Sequence, residues 1–185
     1  MMRLVTTMGA LACATLAASG GAAPQQLDIM SRAINAPSIG YGLYGTGYAA
    51  KVVKDGTVVG GQALRVTVAQ PAAHAYDIGA TASVTKPIRK GDALVVAVWM
   101  RAPKVAAGES LSLPFVGLIG PAPGYEQIVA GEAKAEAAWS LRSVRGTASQ
   151  DYQAGQATVT LHLGAQKGVI DLGPVFVLDL GQKAS

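Results

Sequence analysis

The sequence is poor in the side chains on which most protein chemistry depends. Among 185 residues there is one cysteine, Cys13, and there are two histidines, His74 and His162, far apart in the chain. Charged residues make up 14%, aromatic residues 5%, and only two residues are phenylalanine. Cys13 lies in an N-terminal stretch read below as a leader. The rest of the chain therefore has no disulfide and no thiol chemistry, and a domain built from it must hold together by its core. There is no HExxH, no GxSxG elbow and no loop with EF-hand spacing. No grouped set of ionisable and nucleophilic side chains emerges, so the chain reads as a non-enzyme with no cofactor. A hydrolase acting on envelope polymers has only compartment and fold in its favour. A structural calcium site built from backbone carbonyls would leave no mark in the sequence.

Charge is equally sparse. Fifteen basic and eleven acidic residues leave a net +4, with the basic residues scattered along the chain. Nucleic-acid binders concentrate theirs on a patch or stripe, which excludes that class here. The start, "MMRLVTTMGALACATLAASGGAAPQQ", places Arg3 before an apolar stretch from Leu4 to Ala18 and then small residues. This pattern predicts a secretory leader over 1–22, with an extension over 23–39, a domain over 40–181 and a tail over 182–185. A secreted or periplasmic location follows. Past the leader no apolar run is long enough for a transmembrane helix.

What the sequence does have is β-strand patterning. "ALRVTV" sets Leu64, Val66 and Val68 against Arg65 and Thr67. "IGATASV" alternates Ile78, Ala80, Ala82 and Val84 with Gly79, Thr81 and Ser83. "ATVTLHL" sets Val159, Leu161 and Leu163 against Thr158, Thr160 and His162, and the last three read as a solvent face. "ALVVAVWM" (93–100), "SLSLPFVGLI" (110–119), "YEQIVAG" and "WSLRSV" are further strands, and Pro114 predicts an edge or a bulge. "GVIDLGPVFVLDLG" (168–181) is apolar enough for a closing central strand, with Ile170, Leu172, Phe176, Leu178 and Leu180 on one face. "KDGT", "VGGQ", "RKGD" and "GPAPG" are turns between strands. The expectation is an all-β fold, a two-sheet antiparallel β-sandwich of the jelly-roll kind. Three stretches lack strand patterning. Residues 25–35 suit a turn or two of helix, 39–48 a Gly- and Tyr-rich loop, and 131–139 a strand approach or a short helix by composition.

The six tyrosines and two tryptophans are the remaining candidates. Tyr41, Tyr44 and Tyr48 cluster in the Gly-rich stretch, while Tyr76 and Tyr125 flank strands. Such rings, apolar in body and polar at the tip, suit a polar ligand, or equally the plugged ends of a sandwich. Trp139 shares a face with Leu141, which predicts core packing.

The order "GGQALRVTV", "AYDIGA", "PIRKGDALVVAVWMRA", "AAWSLRSVRGTASQDYQAGQATVTLHLG" and "GVIDLGPVFVLDLG" resembles carbohydrate-binding modules of the family 4/9 type. Those are jelly rolls with a galactose-binding-like fold. Gly91 and Asp92 match the family's turn before an apolar strand, and Trp139 its strand-opening tryptophan. Asp171 matches the aspartate of its closing strand. Tyr76 stands where members often carry tryptophan. The resemblance implies an exported, non-catalytic protein that binds a polysaccharide or oligosaccharide. Its ligand would lie against Tyr76, Trp99 and Tyr125, with hydrogen bonds from Arg65, Asp77 and Arg101. The alternative is a structural or assembly protein of the cell envelope, contacting another exported protein through a strand edge or an apolar patch.

Overall fold

The computed structural model describes residues 29–182. The expected leader, with Cys13, lies outside the described residues, as do residues 183–185 of the tail. Ten strands occur among the described residues: β1 (Gly42–Tyr44), β2 (Tyr48–Lys54), β3 (Gln62–Val68), β4 (Gly79–Ser83), β5 (Asp92–Arg101), β6 (Ser110–Ile119), β7 (Gln127–Glu136), β8 (Ser140–Thr147), β9 (Thr158–His162) and β10 (Gly168–Gln182). They form two antiparallel five-stranded sheets. Sheet one runs β1-β4-β9-β6-β7 and sheet two runs β2-β3-β10-β5-β8. The only helical turns among the described residues are short 3-10 pieces, Ile29–Arg32 and Ala75–Asp77.

Period-two alternation determines which side chains meet between the sheets. Ala80, Leu118, Val159 and Leu161 of sheet one are buried against Val66, Val96, Val98, Met100 and Leu172 of sheet two. Burying each Val or Leu is worth about 1.5–3 kcal/mol, so a cysteine-free domain can rest on this interior. Where β7 and β8 close one side of the sandwich, Gly131 leaves room for Val144.

β10 is central, as its composition predicts, but its faces are not those of simple alternation. Its pairing with β5 shifts register between Leu172 and Val175, at Gly173-Pro174. Proline donates no backbone hydrogen bond, and an extra residue in one strand reverses the parity of everything after it. Ile170 and Leu172 therefore face inward with Val175 and Val177, while Phe176 and Leu178 turn to the opposite face. The Tyr41 hydroxyl donates to the Gly173 carbonyl at 2.8 Å. β3 pairs with β10 only along Gly168–Leu172. Beyond it the N-terminal segment takes over. Ile34 N–H donates to Val177 O at 2.8 Å, and the buried Asn35 amide donates to Val175 O (2.9 Å) and accepts from Val177 N–H (2.8 Å).

Four stretches differ from simple expectation. Residues 42–44, expected within a Gly- and Tyr-rich loop, form β1 at the edge of sheet one. Residues 48–54, which carry no alternation, form β2 at the edge of sheet two. Residues 131–136 are strand despite helix-forming composition, with Ala133 and Ala135 buried and Glu132, Lys134 and Glu136 exposed. Residues 29–32 make a single 3-10 turn. Pro114 sits in the register break of β6 between Leu113 and Val116, the bulge expected of it.

Candidate functional site

The outer face of sheet one is assembled from residues that the inward alternation leaves behind. On β4 these are Gly79, Thr81 and Ser83, and on β9 they are Thr158, Thr160 and His162. Pairing register then aligns them into rows across the strands. One row runs Tyr44–Gly79–His162, the next Gly42–Thr81–Thr160–Gly117, and the third Ser83–Thr158–Ile119. The first row is aromatic. His162 stacks on Phe115 with ring centroids 4.7 Å apart, and Tyr76 meets His162 edge-on at 6.1 Å. His74 in turn stacks on Tyr76 at 4.9 Å. The middle row is small and hydroxylic. It is low because Gly42 and Gly117 have no side chain, and a Cβ at Gly117 would overlap the Val129 carbonyl of the neighbouring strand.

The loop after β6 adds a wall. Tyr125 is 64% exposed and holds a left-handed backbone with φ 45°. Together these elements bound an open groove of about 630 Å³, lined by Tyr44, Thr81, Thr160, His162, Ile119 and Tyr125 among others. No Asp, Glu, Lys or Arg lines it. Burial lowers the pKa of His162 from its ordinary 6.5, so the ring is neutral at physiological pH. Burial, and secondarily the Asp77 carboxylate, raises the pKa of the Tyr44 hydroxyl and keeps it protonated. The groove thus offers flat apolar rings on one side and neutral hydroxyls along its floor. That arrangement stacks against and hydrogen-bonds an uncharged, hydroxyl-rich ligand. Among the described residues no three or more His, Cys, Asp or Glu side chains are grouped to hold a metal.

The residues expected from the sequence divide between the two sheets. Tyr125 lines the groove, and Tyr76 joins its aromatic row through His162. Asp77 lies beside them on the 3-10 turn, where its carboxylate accepts from the His74 N–H at 2.8 Å. Arg65, Trp99 and Arg101 stand on the outer face of sheet two, with the whole sandwich between them and the groove. There Arg65 makes a two-pronged pair with the fully buried Asp171, Nε at 2.7 Å and Nη2 at 2.9 Å. Arg101 reaches the same carboxylate at 2.9 Å and Asp55 at 2.6 Å, and its guanidinium lies 4.8 Å from the centre of the Trp139 ring. Trp139 is accordingly outside the core, half-buried beneath an arginine, with its Nε1–H on Asp55 at 3.2 Å. Hydrogen bonds from Thr57, with lesser help from Trp139 and Arg101, hold the Asp55 carboxyl down to about 2. Both arginines are thus engaged in ion pairs within sheet two. Sequence reasoning missed Tyr44, Phe115, Thr81 and Thr160 as a set. The signal was present in "TVTLH", whose outward face is Thr158, Thr160 and His162.

Comparison with solved structures identifies the architecture. Over 82% of this chain and 99% of the other, it matches a family 4 carbohydrate-binding module with a TM-score of 0.57 at 15% identity. The second N-terminal cellulose-binding domain of Cellulomonas fimi β-1,4-glucanase C gives 0.56 at 17%, covering 82% of this chain and 97% of that one. The chain has the fold of a carbohydrate-binding module. A further match of this kind is the CBM22-1 xylan-binding domain from Paenibacillus barcinonensis Xyn10C, at 0.52 and 15% identity over 83% of this chain and 94% of the other. The chain also matches part of an arabinose-bound GH51 α-L-arabinofuranosidase at 0.55, where it spans only 26% of that chain. No protein-family model and no curated protein matches the sequence. Among the described residues no helix is long and apolar enough to cross a membrane.

Proposed function

We propose that this protein is an exported, non-catalytic binding protein that holds a neutral polysaccharide chain in the groove of sheet one. The observation that carries the reading is the composition of that groove. An aromatic row flanks a floor of glycine and threonine, and no charged side chain lines it. Sugar rings present C–H faces to aromatic rings and hydroxyls to polar atoms, and both partners are on offer. A charged glycan would find no counter-ion here, which favours an uncharged polymer. The cellulose- and xylan-binding names of proteins with this fold support the ligand class. The leader-like start supports a secreted or periplasmic location.

The test is electrophoresis of the mature protein through gels cast with xylan, β-glucan, mannan or no polysaccharide. Selective retardation by one polymer is expected, and retardation by none would refute the reading. The assembly alternative draws its support from β2, an edge strand with Val52 57% exposed. Lys51 and Lys54 on the same strand oppose the addition of another chain there.

A further inference from the structure

Tyr125 presents a problem of order. A ring 64% exposed on a hairpin loop would lose rotamer and loop freedom on meeting a ligand, and that loss weakens binding. Two backbone bonds close the loop, from Gly120 N–H to Glu126 O at 2.8 Å and from Tyr125 N–H to Pro121 O at 3.2 Å. The next residue along is tied far more firmly. The Glu126 carboxylate accepts three hydrogen bonds, from Ser149 Oγ (2.6 Å), Gln150 Nε2 (2.8 Å) and the Tyr152 hydroxyl (2.7 Å). Tyr152 is 2% exposed, its ring belongs to the core, and its backbone pairs in both directions with Ile88. A chain of contacts therefore runs from the core through Tyr152 to Glu126, and so to the base of the loop that carries Tyr125.

We infer that Glu126 is a positioning residue of the groove, holding Tyr125 in its ligand-ready place by anchoring the 120–126 loop to Tyr152 and Ser149. This deepens the proposed polysaccharide-binding reading and rests on it. The anchor needs an acceptor for three donors at once, and an ionised carboxylate is the side chain that provides it. The bonds from Ser149 and Tyr152 in turn hold the Glu126 carboxyl below the usual carboxylate range.

The test compares Glu126→Ala, Glu126→Gln, Tyr125→Ala and the Glu126→Ala/Tyr125→Ala double variant in gels containing xylan, β-glucan or mannan. In parallel, amide hydrogen exchange is followed at Gly120 and Tyr125, with Thr160 of β9 as the internal reference. Glu126→Ala should weaken binding by about five-fold or more, Glu126→Gln by less, and the double variant by no more than Tyr125→Ala alone. Exchange should quicken at Gly120 and Tyr125 and stay unchanged at Thr160. Losses that add in full in the double variant, or exchange unaltered by Glu126→Ala, would overturn the inference. If no polymer retards the parent protein, the polysaccharide reading fails, and hydrogen exchange alone decides the positioning role.

Discussion

The ring of Tyr44 lies across the backbone of Gly79, so closely that a Cβ on that glycine would overlap the tyrosine's hydroxyl end. Tyr44 and Gly79 are also paired in register, so the ring covers the strand it pairs with. Only the absence of a side chain at residue 79 allows this placement. Tyr44 is 36% exposed and its ring can swing outward, so the fold should tolerate a methyl group there. Gly79→Ala is expected to change stability by no more than about 1 kcal/mol while weakening polysaccharide binding through displaced Tyr44. Thermal melting and affinity electrophoresis on the same preparation separate the two effects.

Asp171 on the opposite face should behave in the reverse way. Its buried carboxylate pairs with both Arg65 and Arg101, and Asp55 supplies the second negative charge. Breaking a buried pair from one side leaves charge uncompensated, so Asp171→Asn should destabilise the fold by about 3 kcal/mol. Retardation of the folded fraction in polysaccharide gels should not change. Loss of binding with stability intact would move the site to sheet two.

Asn35 tests the N-terminal segment. Its side chain satisfies both Val175 O and Val177 N–H where β3 no longer covers β10. Asn35→Ala leaves a buried donor and a buried acceptor unpaired, at about 1–3 kcal/mol for each. Denaturant unfolding should show a loss of about 2–6 kcal/mol with the m-value unchanged.

These variants probe relationships that the sequence showed unevenly. Strands such as 63–68 and 157–163 were legible because one face is buried and the other is not, which imprints period two. β2 was not legible, because nearly all of its residues are exposed and nothing selects an alternation. The 131–136 segment reads as helix by propensity, yet its alternate alanines are taken up by the core, and tertiary packing overrides a preference of tenths of a kcal/mol. Tyr76 and Tyr125 were legible as polar-tipped rings beside loops. The separation of Arg65, Trp99 and Arg101 from them was not, because it depends on which strands share a sheet. The proline at Gly173-Pro174 marks an irregularity locally, but the parity change it brings depends on how β10 pairs with β5.

Acid should act on the groove through His162. Burial sets its folded pKa below the ordinary 6.5, so the fold favours the neutral ring. The sign follows from linkage. The stability this ring contributes is fully present above pH 6.5 and is lost as the pH falls through that value toward the lower folded pKa. Melting temperature measured from neutral to mildly acid pH should decline for the parent protein, and His162→Gln should flatten that decline.

The most direct test of the groove is to map which amide and side-chain resonances move when a short oligosaccharide of the retained polymer is titrated into isotope-labelled protein. The expected result is shifts at Tyr44, Thr81, Thr160, His162 and Tyr125, with Arg65, Trp99 and Arg101 unmoved. Shifts confined to those three residues, or none anywhere at saturating oligosaccharide, would contradict the assignment of the groove on sheet one.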